Sequence, residues 1–300
     1  SNGVLSTIKL SKINISDVEF FAHGGTTVIN AITERKGVKT ALITTLGFRD
    51  VLEIMRGNRP DMYNLKAKKP EPFVSRKLRF EVNERISAEG KKIVPLNLES
   101  LDDIIKECKS NKVEAIAIQF MHSYLFTENE KECAKYIKQK FPEVSITLSS
   151  DITREWREFE RANTAVLNAY VQPIVSKYFE NLEKKLNDIG LNCAFTAMQS
   201  NGGTTSFNWA KEHPITLVES GPAAGVNGAV LVGNLCKKNN IIYFDVGGTT
   251  TKCALIEDGK PKVTTEYKIE YTKFNPGYPI RVPVTDLVEI GAGGGSIAWF

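Results

Sequence analysis

Residues 241–260, IIYFDVGGTTTKCALIEDGK, place a glycine pair between two segments that both have the pattern of β-strands. The first is an apolar run that ends at Asp245, and the second alternates outward Thr and Lys with inward apolar residues. Asp258-Gly259 is a hairpin signal, and residues 262–271 are expected to return as a third strand. The glycines therefore lie at the tip of a β-hairpin, since a dinucleotide fold or a Walker A loop would continue into a helix.

The tip of this hairpin has the residue types that hold a phosphate. Glycine lets the backbone approach an anion closely, threonine hydroxyls can donate to it, and Asp245 can hold Mg²⁺ through water. An ordinary glycine hairpin in a β meander is the alternative. Because the aspartate directly precedes the glycines and threonines, we expect Asp245 to be a catalytic, metal-binding residue. The predicted phosphate-binding residues at the tip are Gly247, Gly248, Thr249 and Thr250.

AHGGTT, residues 22–27, is a second glycine turn, and here a helix is expected to follow. Free N–H groups of the first helical turn make an anion seat. His23 could donate to the same ligand or act in proton transfer, or it could simply be hydrogen-bonded at a strand end. The predicted residues of this seat are Gly24, Gly25, Thr26 and Thr27.

VESGPAAGVNGA, residues 218–229, has the same shape. Its glycines, Gly221, Gly225 and Gly228, permit close approach either to a ligand or to a neighbouring helix. We expect Gly221 to contact phosphate.

Two further segments are rich in charged or small residues. RGNRPD contains Arg56, Asn58 and Arg59, which could grip a carboxylate or imide carbonyls, or could belong to a solvated loop. REWREFER, residues 154–161, is expected to form a solvent-facing salt-bridge ladder, with a functional role as the alternative. Ser296 follows three glycines, either in a backbone loop against a ligand or in a flexible turn.

Residues 18–150 alternate between strand and helix patterns, which predicts a largely parallel sheet covered by helices. The predicted strands are 18–24, 39–45, 78–82, 113–120 and 144–150, and the predicted helices are 26–37, 98–111 and 129–141. Residues 149–190 form the longest helical stretch, which Pro173 is expected to break and Gly190 to end. With 300 residues, two domains are expected, at 4–175 and 176–300.

Composition excludes several classes of function. The net charge of +4 is slight and its basic residues form no stripe, so nucleic acid is not an expected partner. No run of about 18 apolar residues is present, so no membrane span is expected. Five scattered cysteines are expected to be free, buried thiols in a reducing cytoplasm. Three dispersed histidines make a zinc site improbable.

Taken together, the motifs resemble the hydantoinase A / oxoprolinase / acetone carboxylase β-subunit family. The resemblance covers nearly the whole chain, and YNLKAKKPEPFVSRKLRFEV and the C-terminal stretch look closest to the ketone carboxylase branch and to proteins called N-methylhydantoinase A. The matching segments are 23–37, 41–61, 154–173, 199–203, 219–226, 245–252 and 289–299.

The resemblance implies an α/β protein with an actin-like ATPase (ribonuclease H-like) fold, in which mixed sheets are flanked by helices. That core clasps ATP·Mg²⁺ between two domains with two phosphate hairpins, of which DVGGTT resembles the second. The family's first hairpin lies upstream of HGGTT and has no counterpart here, so the chain is expected to be an incomplete fragment of a protein about twice as long. Lys252 stands where many relatives carry an acidic residue, and a lysine could itself meet a phosphate.

The resemblance also implies a reaction. Relatives use ATP to phosphorylate a carbonyl oxygen of a small cyclic amide, such as a hydantoin or oxoproline, and a hydantoinase B-like subunit completes the hydrolysis. One alternative is a β-type subunit of an acetone or acetophenone carboxylase, with a ketone substrate and a carboxylase α-like partner. Another is a nucleotide-binding or assembly module without turnover. The isolated chain is expected to have weak or no activity.

Overall fold

The computed structural model of the protein describes residues 2–57, 61–248, 251–297 and 299. Its α-helices are α1 Asn2–Ser11, α2 Thr27–Thr33, α3 Val51–Ile54, α4 Leu101–Ser110, α5 Glu128–Lys140, α6 Ser149–Ile152, α7 Glu158–Asp188, α8 Phe207–Glu212 and α9 Ser220–Leu235. Its strands are β1 Phe20–His23, β2 Thr40–Thr45, β3 Arg79–Val82, β4 Arg85–Ile86, β5 Lys92–Val94, β6 Ala115–Gln119, β7 Ser145–Leu148, β8 Ala194–Met198, β9 Thr204–Ser206, β10 Ile241–Val246, β11 Thr251–Glu257, β12 Lys260–Pro261, β13 Val263–Thr264, β14 Lys268–Ile269, β15 Tyr278–Pro279, β16 Val284–Thr285 and β17 Val288–Ile290. Short 3₁₀ helices span Ile15–Asp17, Arg76–Leu78 and Pro214–Leu217.

The predicted parallel sheet is confirmed. It has the order β3-β2-β6-β7, and every pairing within it is parallel. All residues of β2 and β6 are buried, because helices cover both faces of the sheet; such strands read as continuous apolar runs. A first hydrophobic core forms around these strands.

The strand of the HGGTT segment belongs to a different sheet. β1 pairs in parallel with β8, about 170 positions further along the chain by residue number, and β8 pairs with β9. This pairing lies next to a second core, to which α2, α7, α8 and the 278–284 region contribute. The first glycine turn is thereby joined to the second half of the chain.

Helix α7 runs without a break from Glu158 to Asp188, so the prediction that Pro173 ends the helix is wrong. A proline inside a helix costs about 3 kcal/mol. Here the apolar side chains of α7 pack into both cores, with Phe159 in the first and Leu186 in the second, and this burial outweighs the local penalty. The predicted domain division after residue 175 falls within this helix and stays a prediction.

The expected solvent-facing ladder is also wrong at Arg161, whose side chain is completely buried. Its guanidinium donates to the carbonyl oxygen of Phe120 and to the hydroxyl of Ser149, and lies 3.8 Å from the buried carboxylate of Glu130. Arg161 therefore connects α7 to the carboxyl ends of β6 and β7 instead of facing water.

The glycine hairpin forms as predicted, with β10 and β11 antiparallel and Val246 opposite Thr251. Asp258 and Gly259 both have positive φ, as a two-residue hairpin turn requires. The expected long third strand is wrong: only β12 pairs with β11 at that turn, while β13 and β14 pair with β16 and β15. Instead β17, near the C-terminus, pairs with β11 on its other side.

Among the described helices, none combines the length and hydropathy that crossing a bilayer requires. The cysteines are free, as expected. Cys108 and Cys133 are buried as expected, whereas Cys193 and Cys253 are half-buried. Cys236, which follows the last turn of α9, is exposed, so the expectation of a buried thiol is wrong at that position.

Candidate functional site

One face of the β10–β11 hairpin packs against α9 at very short range. A Cβ atom on Gly225 would lie 2.2 Å from the hydroxyl oxygen of Tyr243, and one on Gly233 would lie 2.2 Å from Cδ1 of Ile241. Close helix packing therefore explains Gly225. At Gly221 and Gly228 an added Cβ would meet nothing within 4 Å, so packing does not account for those two glycines.

The same face carries Asp245 toward the N-terminal end of α9. Asp245 lies directly opposite Lys252, and residues opposite each other in an antiparallel pair share a face. The ammonium of Lys252 lies 2.6 Å from Oε2 of Glu219, the residue that immediately precedes α9. Asp245 is exposed, so it is an accessible carboxylate at this helix end.

Glu219 is the buried centre of this arrangement. Its side chain is 1% exposed, and its other carboxylate oxygen accepts a hydrogen bond of 2.8 Å from the hydroxyl of Tyr267. Burial, followed by the nearby negative charge of Glu219, raises the pKa of Tyr267 strongly, so this phenol keeps its proton. Glu219 and Tyr267 were not identified as site residues from sequence; the only signal was that Glu219 directly precedes the Ser-Gly-Pro that starts α9.

The hairpin tip rests on the C-terminal glycine loop. The carbonyl oxygen of Gly247 accepts from the amide of Gly294 at 2.9 Å, and that of Gly248 accepts from Gly295 at 3.3 Å. Both tip glycines are exposed to solvent. Ser296 accepts a 2.9 Å hydrogen bond from the amide of Gly293, which closes the loop on itself. The predicted phosphate-binding residues Thr249 and Thr250 lie outside the described residues.

Ser220 joins the HGGTT segment to the same end of α9. Its hydroxyl accepts from the amide of Gly25 at 3.3 Å and donates to the carbonyl oxygen of Gly25 at 3.0 Å. As predicted, a strand precedes this segment and a helix follows it, although the strand ends at His23 and the helix begins at Thr27, each one residue from the predicted bounds of 24 and 26. Gly24 and Thr26 are exposed. Three parts of the chain that are far apart in sequence, residues 23–27, residues 219–221 and the hairpin pair Asp245 and Lys252, therefore meet at one helix terminus.

His23 has a hydrogen-bond partner within the protein. Its Nε2 lies 2.8 Å from the hydroxyl of Tyr178. Burial lowers the pKa of His23, and burial raises the pKa of Tyr178, so a neutral imidazole faces a protonated phenol that can donate to it. The adjoining cavity, between the His23 ring and Met198, has a volume of only about 20 Å³, enough for one water. The structure therefore agrees with the alternative that His23 is hydrogen-bonded at the end of a strand. A proton-transfer role for His23 stays a prediction.

Arg56 lies elsewhere. Its guanidinium makes a two-pronged pair with Glu160 at the start of α7, with Nε 2.8 Å from Oε1, and among the described residues none of its hydrogen bonds reaches the hairpin. Asn58 and Arg59, the other predicted substrate-binding residues, lie outside the described residues.

No group of three or more His, Cys, Asp or Glu side chains that could hold a metal occurs among the described residues. Asp245 nevertheless suits Mg²⁺ that arrives with phosphates, because Mg²⁺ keeps several waters and needs only one or two protein carboxylates. A cation held mainly by its nucleotide fits this donor set, whereas a metal held by the protein alone does not.

Sequence models of two regions of one protein family match this chain. The sequence model described as Hydantoinase/oxoprolinase matches residues 161–300, and the one described as Hydantoinase/oxoprolinase N-terminal region matches residues 1–141. An uncharacterised protein of Methanocaldococcus jannaschii is 39% identical over 306 residues, which cover 99% of this chain and 45% of that protein. Caprolactamase subunit alpha of Pseudomonas jessenii is 29% identical over 286 residues, covering 95% of this chain and 40% of the subunit.

Two solved structures are similar as well. The crystal structure of ATP-dependent caprolactamase from Pseudomonas jessenii has a TM-score of 0.86 at 27% identity, covering 100% of this chain and 43% of that one. The nucleotide-free structure of acetone carboxylase, an enzyme of ATP-dependent acetone carboxylation, has a TM-score of 0.78 at 26% identity, covering 91% and 39%. The chain thus spans less than half the length of these relatives.

Proposed function

The chain belongs to the hydantoinase/oxoprolinase family and has the expected α/β fold of the actin-like ATPase type, and from that premise we propose that it is the nucleotide-binding part of an ATP-dependent enzyme. The enzyme phosphorylates a substrate carbonyl oxygen and so drives ring opening of a cyclic amide. The whole protein's substrate and partners are part of this proposal.

The observation that carries the proposal is the meeting of three glycine-containing segments at the N-terminal end of α9. The amides of a helix N-terminus point at an anion, and the helix dipole favours negative charge there. α9 has 16 residues, which is long enough for a full dipole. Exposed Gly247 and Gly248 leave space for phosphate oxygens beside this end.

The residues of the chain have distinct parts in this proposal. Asp245 orients Mg²⁺ through water, and the tip residues Gly247 to Thr250 hold the phosphates through amides and hydroxyls. Gly24 to Thr27 provide a second anion seat, connected by Ser220 to the same helix end. Gly221, which packing does not explain, leaves room for the ligand. Lys252 adds positive charge near the phosphates, although Glu219 partly neutralises it.

Bound ATP would supply the phosphoryl group that turns a poorly reactive carbonyl oxygen into a phosphate, with the transferring charge stabilised by metal and backbone donors. Partner subunits of the hydantoinase B type would complete the hydrolysis, and a cytoplasmic location is expected. Proteins named as subunits of caprolactamase, acetophenone carboxylase and acetone carboxylase are among the relatives, which supports a multi-subunit enzyme.

The likeness to acetone carboxylase favours one alternative, a ketone carboxylase β-type subunit. Consumption of bicarbonate together with acetone or acetophenone distinguishes it from a hydrolase. Binding of ATP·Mg²⁺ without any turnover in the presence of partner subunits would instead identify a nucleotide-binding module.

Asp245→Ala tests the proposal. Because Asp245 is exposed, the variant should fold normally while ATP turnover by the assembled enzyme falls by at least about 100-fold. Asp258→Asn is the matched control, an exposed aspartate in the other turn of the same sheet, and it should retain turnover. Calorimetry with ATP·Mg²⁺ on both variants separates binding from chemistry. Unaltered turnover in Asp245→Ala refutes the assigned role.

A further inference from the structure

A second cavity lies away from the helix end, between the start of α7 and the segment around β14 and β15. Its volume is about 160 Å³. It is lined mainly by charged side chains and by a proline-glycine turn. The charged residues are Arg56, Glu160, Glu266, Lys268 and Arg281.

The guanidinium of Arg281 is mostly buried, and it donates no hydrogen bond to a carboxylate of the described residues. Its side chain is 14% exposed, its NH2 nitrogen lies 4.0 Å from Glu160, and its NH1 nitrogen donates to the carbonyl oxygen of Thr265 at 3.2 Å. The buried Nε has no hydrogen-bond partner among the described residues, and the carboxylate of Glu155 lies 3.6 Å from it. A buried guanidinium donor without an acceptor has a large desolvation cost, which a bound carboxylate would offset.

The charges at this cavity are equal in number: Arg56, Lys268 and Arg281 stand against Glu155, Glu160 and Glu266. Glu160 is 7% exposed and is already held by both prongs of Arg56. Glu266 is 82% exposed, so water screens its charge at 3.9 Å from Arg281. Lys268 is exposed, with its ammonium 5.1 Å from the centre of the Tyr271 ring, and no carboxylate of the described residues lies within ion-pair distance of it. Of the three carboxylates near Arg281 only Glu160 is buried, and it is held by Arg56, so Arg281 and Lys268 are the cations left for a ligand.

We propose that this cavity binds the carboxylate of a small organic ligand, with Arg281 and Lys268 as the contacting cations and Arg56 as a third positive charge. Planar guanidinium groups match the two oxygens of a carboxylate, and a cavity of about 160 Å³ admits a small organic carboxylate. The buried apolar wall, formed by Phe159 and Pro279, favours an organic anion over an inorganic one.

The cavity and the Glu219 contacts beside α9 involve neighbouring residues of one segment. Tyr267 donates to Glu219 beside α9, whereas the next residue, Lys268, lines the cavity. Successive side chains of an extended segment point in opposite directions. The segment that contains Tyr267 and Lys268 therefore lies between the cavity and the N-terminal end of α9. If the proposed function holds, the ligand is a substrate that carries a carboxylate; that link rests on the proposed function, whereas carboxylate binding itself does not.

Binding of two probes of nearly equal shape tests this inference. Cyclopentanecarboxylate should bind at least about tenfold more tightly than cyclopentanecarboxamide in titration calorimetry at low salt without nucleotide, because only the former is charged. Lys268→Gln and Arg281→Gln should each weaken carboxylate binding by about tenfold. Lys273→Gln, an exposed lysine of the same region outside the cavity lining, should change binding by less than about twofold.

Lys268 is exposed, so its variant remains informative even if Arg281→Gln fails to fold. Equal affinity for the two probes, no binding of either, or unaltered binding by Lys268→Gln overturns the proposal. Since no nucleotide is present, these results are independent of whether Asp245 acts in ATP turnover.

Discussion

The ammonium of Lys252 lies 2.6 Å from the carboxylate of Glu219, and this ion pair joins the glycine hairpin to the N-terminal end of α9. The lysine side chain is 17% exposed and that of the glutamate 1%. Breaking a buried pair by removing one partner leaves an uncompensated charge, which destabilises a protein far more than loss of a surface pair.

Lys252→Met should therefore lower the free energy of unfolding by about 2–4 kcal/mol, because Glu219 stays buried and, among the described residues, keeps Tyr267 as its one side-chain partner. Glu219→Gln in the same chain should recover part of that loss, since a neutral amide can still accept from Tyr267. Urea unfolding of both single variants and the double variant measures the coupling. Purely additive losses would show that the pair is energetically unimportant.

Two glycines of α9 should respond in opposite ways to alanine. Gly228→Ala meets nothing and should stabilise the protein by up to about 1 kcal/mol, since glycine is a poor helix former. Gly225→Ala places a methyl group 2.2 Å from the Tyr243 hydroxyl, so the helix and hairpin must move apart, at a cost of about 1–3 kcal/mol. Thermal unfolding of the two variants measures this, and equal effects would contradict the close packing.

The half-buried His23 at the HGGTT segment should make the free energy of unfolding depend on pH. Burial lowers the pKa of His23 below its ordinary value of 6.5, so the unfolded state binds the proton more readily. Its contribution to stability is full above pH 6.5 and is lost as pH falls toward the folded pKa, by at most about 1.4 kcal/mol per pH unit.

His23→Gln should flatten this acid loss, and urea unfolding between pH 8 and pH 5 checks it. The loss should not vanish, because burial lowers the pKa of His213 as well. A variant that loses stability with acid as steeply as the unaltered protein would show that His23 does not carry the effect.

Sequence alone determined those parts of the fold that depend on neighbouring residues. The apolar run before Gly247 and Gly248 and the alternating pattern after them specified a hairpin, since side chains of a strand alternate between its faces. The buried apolar runs at β2 and β6 specified a parallel sheet for a similar reason. The motifs also identified the family, because their order along the chain is specific.

The tertiary structure decided how distant residues meet. Pro173 remains inside α7 because the free energy gained by packing α7 into two cores exceeds the local cost of a proline. That gain depends on residues far away in the sequence, so the residues around Pro173 do not reveal it. Arg161 belonged to a charge-rich run, yet it is buried beside Glu130. Glu219 became the centre of the site only because folding brings Lys252 and Tyr267 to it from 33 and 48 residues away. Periodicity encodes which way a side chain faces, whereas the partner it finds depends on long-range packing of the whole chain.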